Sequence, residues 1–421
     1  MSDRLGPESS GDSGDVHAVD WASHPRNPIA WPQWKKWMTM ATACWVTFIV
    51  GLNATSITTA ADVLTEEFNL QTGGDLEVNF FAVTAWNAAA ATVPLVTLPL
   101  MDTYGVRYGY LMAYILFTVF LIPQALARNF ATLVVCRAIA GAFGGTLQNA
   151  ADGIAANLFM HHHERVLPLT GYVATLLLGV TMGPVLGAVV EPLGWRWIIW
   201  IQLIVCGACI PLVVFCMRET RGPVLKAKHH GSDASTTATA DSSAAMNELY
   251  LTVTRSAVLL TTEPTVTFFT LWSSFAFGLV FISTQSIPLV FGNTFNWQTY
   301  SGGLVQVSIA IGQIIGFGAC LVQKEIYVKS VKRNSEKPGT PVPEAILHLS
   351  IPSTIILTGG LFMYGWSIYQ PHWIVTAVGL ALTGFASIVI VNAASIYVTD
   401  AYSNYAASAI AAVAFGENAG V

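Results

Sequence analysis

Long apolar runs separated by short polar segments make up most of the chain. Ten runs are about 20 residues long, the length that a helix needs to cross the hydrocarbon core of a bilayer, whereas the strands of a membrane barrel are about half as long. The pattern therefore predicts membrane-spanning helices. The predicted spans lie at about 37–59, 78–100, 109–127, 130–158, 167–190, 195–217, 265–291, 301–322, 347–369 and 373–399, and an eleventh apolar run begins at 405.

The polar segments divide the spans into two groups. Residues 1–36 are rich in Gly, Ser, Asp and Pro and predict a disordered cytoplasmic tail. A second polar stretch, 218–264, predicts a linker between a six-helix half (37–217) and a second half (265–421) that holds spans 7–10 and the start of span 11. Two halves are typical of secondary carriers, which bind their cargo between the halves near the middle of the membrane.

The basic residues are concentrated in alternate loops. Of the 19 Lys and Arg residues, only Arg128, Arg137 and Arg196 fall outside the N-terminal tail, the loops after spans 2 and 4, the linker and the loop near 323–346. Because cytoplasmic loops carry an excess of Lys and Arg, this distribution predicts that the tail and the linker face the cytoplasm.

Composition and motif content limit the classes of function. Only 10% of the residues are charged, against about 25% in soluble domains, and the net charge of −5 disfavours a nucleic-acid binder. The sequence contains no phosphate-binding Gly-Lys-Ser/Thr loop, which disfavours an ATP-driven pump. It also contains no constellation of nucleophile or metal ligands, so we predict no enzyme activity, no cofactor and no metal.

The fifth span carries small residues at regular spacing in the stretch "LLLGVTMGPVLGAVVEPLGWRW". Gly179, Gly183 and Gly187 fall four residues apart, and Pro184 follows the middle one. Small residues let helices approach closely in lipid, and a proline bends a helix. The motif predicts a bent helix whose smooth face packs tightly in one state and separates in another; ordinary helix packing is the alternative.

Three motifs carry a resemblance to a known family. "GVTMGPVLG" is similar to the antiporter signature of the major facilitator superfamily, which accompanies proton-coupled export there. The loop "PLMDTYGVRYGYL" resembles the gating loop of that family and matches it at Asp102, Gly105 and Arg107. "LVVCRAIAGAFGG" resembles the Arg-bearing motif of span 4 and matches it at Arg137 and Gly141.

The resemblance narrows to one branch of the superfamily and covers nearly all of the chain beyond residue 18. "VDWASHPRNPIAWPQWKKW" looks like the N-terminal signature of the fungal drug:proton antiporters with twelve spans, and "LGWRWIIWIQLI" and "RETRG" fit as well. Departures occur in the gating loop, where Thr103 and Val106 replace two usual bases, and at Asn157, where an Asp is usual.

The resemblance implies a major facilitator fold of two six-helix halves related by pseudo-two-fold symmetry. It also implies alternating access, in which protons drive the export of small organic molecules such as drugs, toxins or polyamines. The implied partners are a small-molecule substrate, protons and the lipid bilayer. We expect a monomer without nucleic acid, in the plasma membrane, with the vacuolar membrane as an alternative.

Two ionisable residues of span 4 are candidates for proton coupling. A charge inside the bilayer costs at least about 2.5 kcal/mol, so Arg137 must face the protein interior or a watery cavity. We expect it to influence the proton affinity of a nearby acid; a structural pair is the alternative. Asp152 lies 15 residues further along and is a candidate proton carrier, unless it is close enough to the cytoplasmic rim to be solvated.

Polar and aromatic residues within several other spans predict a cargo cavity with few charges. Such a cavity suits amphipathic organic compounds better than strongly anionic metabolites. Interhelical hydrogen bonding and aromatic packing are the alternatives for each residue taken alone. The candidate cavity residues are Asn53, Trp86, Asn87, Gln148, Trp272, Gln285, Gln306 and Asn392.

The chain stops at Val421, early in the predicted span 11, whereas the family has twelve spans. We therefore expect an incomplete second half, whose unpartnered helix faces reduce stability. The second hypothesis for the function is accordingly a non-transporting pseudo-carrier, or an inactive truncated fragment.

Overall fold

The fold is known from a computed structural model, which describes residues 24, 27–70, 81–159, 162–229, 254–334, 342–367, 372–402 and 406–420. Every regular element within these ranges is helical. In the part of the chain that the structure describes, nine helices are long and apolar enough to cross a membrane, or ten if one bent pair counts as a single span. The predicted all-helical membrane fold is confirmed.

The first part of the chain forms nine α-helices. Their bounds are α1 Gln33–Thr55, α2 Ala61–Glu67, α3 Phe81–Thr92, α4 Pro94–Tyr104, α5 Val106–Ala125, α6 Phe130–Leu158, α7 His162–Val190, α8 Trp195–Cys216 and α9 Gly222–His229.

Among the described residues from 264 onward, six further α-helices form. Their bounds are α10 Pro264–Phe295, α11 Thr299–Leu304, α12 Gln306–Ser330, α13 Leu347–Ser367, α14 Trp373–Ala401 and α15 Ala406–Ala419.

Local sequence explains where the spans break. The bent pair is α3 and α4, whose axes differ by 41°, and α4 begins at Pro94, which has no backbone N–H to continue the helix of α3. The first span also changes its winding, because α1 is followed by a 3-10 segment, Ser56–Ala60, before α2. These breaks expose backbone carbonyl groups inside the span, and the site described below uses them.

Regular structure is present from Pro28, within the segment 1–36 that we predicted to be disordered. A 3-10 turn forms over Pro28–Ala30, and α1 begins at Gln33. Trp31 is buried, and the Lys35 ammonium lies 4.0 Å from the centroid of its ring. The helix start is thus held by a cation–π contact that composition alone does not reveal. Within the predicted linker 218–264, helix α9 and residues 254–262 are helical, and 230–253 lie outside the described residues.

The helices pack as two groups that meet along α7 and α15. In the first group α1 packs on α7, and both α3 and α5 pack on α6; in the second, α14 packs on α12 and α13. Between the groups, α7 contacts α12 and α14, and α15 contacts α3. The interface between the two groups therefore runs through the centre of the bundle.

Candidate functional site

A cavity of about 140 Å³ lies between the two helix groups, and we call it the inter-half cavity. It lies toward the end of the bundle that carries Asp102, which the charge pattern predicts to be cytoplasmic. Helices α4, α6 and α7 line it from the first group, and α14 and α15 line it from the second. The lining includes Asp102, Asn149, Asp152, Arg165, Thr399 and Ile410.

The opposite end of the interface is closed. A Cβ atom placed on Gly303 in α11 would lie 3.3 Å from the Pro184 carbonyl oxygen and against the Ala188 side chain, so α11 sits directly on α7. Deeper in the bundle, Gln313 Nε2 of α12 donates a hydrogen bond of 2.8 Å to Thr181 Oγ1 of α7. The halves thus touch at this end while the inter-half cavity lies toward the other.

Asp152 occupies the wall of the inter-half cavity. Its side chain is only 4% exposed, and Oδ1 has no hydrogen-bond partner among the described residues. A buried carboxylate oxygen without a partner carries an uncompensated desolvation cost, which structures retain mainly at functional positions. The sequence left open a solvated position for Asp152 near the cytoplasmic rim, whereas the side chain is buried in the structure.

The structure adds a second acid that sequence reasoning did not select. Glu417 of α15 is buried and accepts a hydrogen bond from Ser273 Oγ of α10. Together with Asp152 and Tyr172 it lines a small cavity of about 20 Å³, which we call the acid pocket. The signal available in the sequence was an acidic residue inside the last apolar run, since intramembrane acids mark functional sites by default.

The Arg137 side chain is buried, and backbone carbonyl groups accept its hydrogen bonds. Its Nε donates to the Ala82 carbonyl oxygen of α3 at 2.8 Å. Its two terminal nitrogens donate to the carbonyls of Asn53 at 3.3 Å, and one of them also reaches Ala54 at 2.7 Å. The guanidinium therefore joins α6 to both α1 and α3.

The break after α1 explains why these carbonyls are available. Asn53 and Ala54 belong to the last turn of α1, whose carbonyl groups lack regular i+4 partners because the chain turns into a 3-10 segment. The C-terminal end of a helix also carries partial negative charge, which stabilises a cation. Arg137 thus satisfies a helix end that lipid cannot solvate.

A side-chain network extends from the same helix end. Asn53 Nδ2 donates to Gln202 Oε1 at 2.8 Å, and Gln202 Nε2 donates to Ser56 Oγ at 2.8 Å. Trp86 Nε1 donates to Asn53 Oδ1 at 3.1 Å. Gln202 of α8 was not selected from the sequence, and its position as an amide inside span 6 was the available signal.

No carboxylate contacts Arg137 in the described part of the chain. Its hydrogen bonds all end on carbonyl oxygens, and it lies in the first group of helices together with Asn53, Trp86 and Gln202. The structure therefore assigns Arg137 a bracing position, while its predicted part in proton coupling stays a prediction. The structure also does not bring Arg137 and Asp152 together, in agreement with their 15-residue separation on one helix.

The predicted gating loop forms a compact turn between α4 and α5. Gly105 has φ +109°, a conformation that side chains rarely adopt. The Glu219 carboxylate accepts from the backbone N–H groups of Val106 and Arg107, both at 3.1 Å, and so caps α5. Asp102 pairs with Arg221 at 3.5 Å. The "RETRG" segment thus supplies the partners that hold this loop.

The glycine motif of α7 packs inside the first group of helices. A Cβ atom on Gly179 would lie 2.5 Å from the Phe48 carbonyl oxygen, and one on Gly187 would lie 2.5 Å from the Ser56 carbonyl oxygen. At Gly183 a Cβ atom would overlap Thr55 Oγ1 and lie 2.9 Å from the Ser56 nitrogen. The smooth face therefore holds α7 against α1, and the face that meets the other half is a different one.

The eight predicted cargo residues lie away from both cavities in this conformation. Asn53 and Trp86 belong to the Arg137 network, Asn87 Nδ2 donates to the Val83 carbonyl, and Gln306 Nε2 donates to the Ser283 carbonyl. The remaining four are buried or half-buried without lining either cavity, and they are Gln148, Trp272, Gln285 and Asn392.

No cluster of three or more His, Cys, Asp or Glu side chains that could hold a metal ion occurs within the described ranges. The six cysteines are all free thiols. The two cavities are lined by carboxylates, amides and apolar side chains.

Two curated relatives match nearly the whole chain. The "MFS transporter cpaT" of Aspergillus oryzae is 30% identical over 420 residues, which cover 97% of this chain and 83% of the relative. The "Efflux pump radE" of Floropilus chiversii is 28% identical, and the match covers 94% of this chain and 75% of the relative.

Solved structures show the same fold. The xylose transporter XylE of E. coli, in a partially occluded inward open conformation, matches with a TM-score of 0.62 at 15% identity, over 92% of this chain and 90% of that one. The family model described as Major Facilitator Superfamily matches residues 43–421. The chain therefore belongs to the Major Facilitator Superfamily, whose members are multi-pass membrane transporters rather than enzymes.

Proposed function

We propose that this transporter exports small organic molecules by alternating access and that proton uptake drives the export. The observation that carries the proposal is Asp152, a buried carboxylate with an unpartnered oxygen in the wall of the inter-half cavity. A group that binds a proton between two moving halves can link proton binding to their movement. Asp152 is thus the proposed proton carrier.

Three observations support the direction of transport. The glycine motif of α7 resembles the antiporter signature of proton-coupled exporters, and one relative is named an efflux pump. The cavity lies toward the Asp102 end, and the basic loops assign this end to the cytoplasm. The halves are in contact at the opposite end, so the cavity lies on the side from which an exporter collects its cargo.

The proposed cargo is an amphipathic organic compound such as a drug, a toxin or a polyamine. Most side chains that line the inter-half cavity are apolar, and its charges are limited to Asp102, Asp152 and Arg165. Among the predicted cargo residues, Asn87, Gln306 and Asn392 each have a buried side-chain oxygen with no partner in the described part of the chain. These three amides, one in the first half and two in the second, are available to a cargo in a more open conformation.

A growth assay tests the proposal. The chain is expressed in a strain stripped of its own efflux pumps, and growth is scored against a panel of toxic amphipathic compounds. We expect a raised tolerance to at least one compound, and loss of this tolerance in Asp152→Asn at equal abundance. Glu66→Gln, at an exposed acid of α2, is the matched control and retains the tolerance.

The same assay separates the transporter from a pseudo-carrier. A chain that reaches the membrane and changes tolerance to no compound is not an exporter of this class. We propose the plasma membrane as the location, and imaging of a tagged chain distinguishes it from the vacuolar membrane. A single copy contains every group of the site, so we propose that the monomer is active.

A further inference from the structure

Two buried acids from opposite halves meet in the acid pocket. Asp152 lies on α6, and Glu417 lies on α15, which packs on α10 and α14 of the second half. Both side chains are at least nine-tenths buried, being 4% and 9% exposed. We propose that Asp152 and Glu417 bind one proton between them and that this shared proton holds the two halves together at the Asp102 end.

The size of the acid pocket selects the ligand. The pocket encloses about 20 Å³, which is enough for a single water molecule but for no organic cation. Its other walls are largely apolar and come from α7, α14 and α15, including Leu176, Val391 and Val413. In this conformation the two carboxylates therefore bind a proton, with or without one water, and not the cargo.

Repulsion between the carboxylates of Asp152 and Glu417 is the reason that the pair binds a proton. Two carboxylates that share a buried site do not both ionise, because a low-dielectric interior screens their like charges poorly. Asp152 and Glu417 line the same pocket from α6 and α15. Ser273 donates one hydrogen bond to Glu417, which satisfies one oxygen and leaves the repulsion in place. A proton on the pair removes the repulsion and supplies a donor for the unpartnered Asp152 oxygen.

The other ionisable groups around the pair are few. From α7, Arg165 lines the inter-half cavity together with Asp152, and Tyr172 lines the acid pocket. From α6 the neighbour is Asn149, and from α10 it is Ser273, neither of which titrates. From α14 the lining residues Val391, Ser395 and Val398 also carry no titratable group. Among the described residues that line the two cavities, the acids Asp102, Asp152 and Glu417 outnumber the one basic residue, Arg165.

Asp152 also connects the pair to water, because it lines both the acid pocket and the larger inter-half cavity. When the halves separate, the proton leaves from the pair into that cavity, and both carboxylates ionise. Opening therefore releases one proton, and the proton belongs to the pair rather than to either residue.

Hydrogen exchange as a function of pH tests this assignment directly. The chain is placed in lipid nanodiscs, and exchange of the amides of α15 is followed by mass spectrometry, after division by the intrinsic exchange rate. If opening releases one proton, the corrected exchange rate rises about tenfold per pH unit. This rise is expected over the pH range in which the open pair is ionised and the closed pair still holds its proton. We expect this slope in the unaltered chain.

Single substitutions locate the proton. Asp152→Asn and Glu417→Gln each remove one charge of the pair, so both variants are expected to lose the slope and to stay protected as the pH rises. Glu417→Asp keeps a carboxylate and keeps the slope, and it serves as well if Glu417→Gln does not fold. Glu66→Gln, at an exposed acid, is the matched control and keeps the slope.

The outcomes separate this inference from the function on which it rests. A flat profile in the unaltered chain, or an unchanged slope in Glu417→Gln, overturns the shared proton even if proton-driven export is found. An export that ignores the proton gradient overturns the proposed function even if the slope and its loss are observed. Loss of the slope in both single variants, with its retention in Glu66→Gln, supports the pair.

Discussion

A methyl group added at Gly183 tests the packing that holds α7 against α1. The new Cβ atom would overlap Thr55 Oγ1 and would lie 2.9 Å from the Ser56 nitrogen and 3.0 Å from the Leu52 carbonyl oxygen. Thr55 Oγ1 donates to the Val180 carbonyl at 2.7 Å, so it cannot move away without losing that hydrogen bond. Two of the three obstacles are backbone atoms, which cannot rotate out of the way.

The magnitude follows from three contributions. Overpacking of this kind costs about 1–3 kcal/mol, and loss of the Thr55 hydrogen bond costs about 1 kcal/mol. The higher helix propensity of alanine offsets about 1 kcal/mol of this destabilisation. We therefore expect Gly183→Ala to destabilise the chain by about 1–3 kcal/mol.

The control for this substitution lies on the same helix. A Cβ atom on Gly171 meets no atom within 4 Å, so Gly171→Ala gains propensity without a clash and is expected to stabilise the chain by about 0.4–1 kcal/mol. The assay is the temperature at which half of the detergent-solubilised protein loses its monodisperse elution peak. Equal midpoints for Gly183→Ala and Gly171→Ala would refute the assignment of the glycine face to α1.

Three further predictions concern contacts at the ends and the centre of the first half. Arg137→Gln is expected to destabilise the chain by about 1–3 kcal/mol, because buried carbonyls of α1 lose their donor. Arg137→Lys is expected to recover only part of this stability, since an ammonium lacks the forked donors of a guanidinium. The thermal midpoints of both variants measure these effects. Glu219→Ala removes the cap of α5 and is expected to cost about 0.5–2 kcal/mol, seen as a lower midpoint and faster exchange at 106–109. Trp195→Phe removes the 2.5 Å hydrogen bond to Glu67 and is expected to cost about 1 kcal/mol, with faster proteolysis at residues 68–70.

Each of these predictions has an outcome that contradicts it. An unchanged midpoint for Arg137→Gln would show that the carbonyls find other donors, and an altered pH dependence of transport alone would favour the coupling role over the bracing role. Exchange at 106–109 that Glu219→Ala leaves unchanged would argue against the cap. A Trp195→Phe chain as resistant to proteolysis as the unaltered one would show that Arg196, which pairs with Glu67 at 2.7 Å, is sufficient.

Span positions followed from the sequence because lipid imposes a simple rule. Every backbone polar group in a bilayer must be satisfied internally, so apolar runs of sufficient length become helices. The run predicted at 195–217 corresponds to α8, Trp195–Cys216, and the run at 373–399 corresponds to α14, Trp373–Ala401. The bend between α3 and α4 was not predicted, although Pro94, at which α4 begins, was the available signal.

The site was less predictable because pairing across the interface depends on tertiary packing. Asp152 was selected as an intramembrane acid, but its neighbour Glu417 lies 265 positions away, and no local pattern connects the two. For Arg137 we could predict the cost of a buried charge but not its partners, since these are backbone carbonyls that carry no sequence signature. The glycine spacing predicted a close helix contact correctly, while the identity of the contacting helix required the fold.

Proton movement coupled to cargo tests the central claim most directly. The purified chain is reconstituted into liposomes that enclose a pH-sensitive dye, and a compound that the growth assay selects is added. The account predicts that the compound and protons cross the membrane in opposite directions, and that Asp152→Asn abolishes the proton movement while Glu66→Gln does not. Transport of the compound without any proton movement, or full coupling in Asp152→Asn, would contradict it.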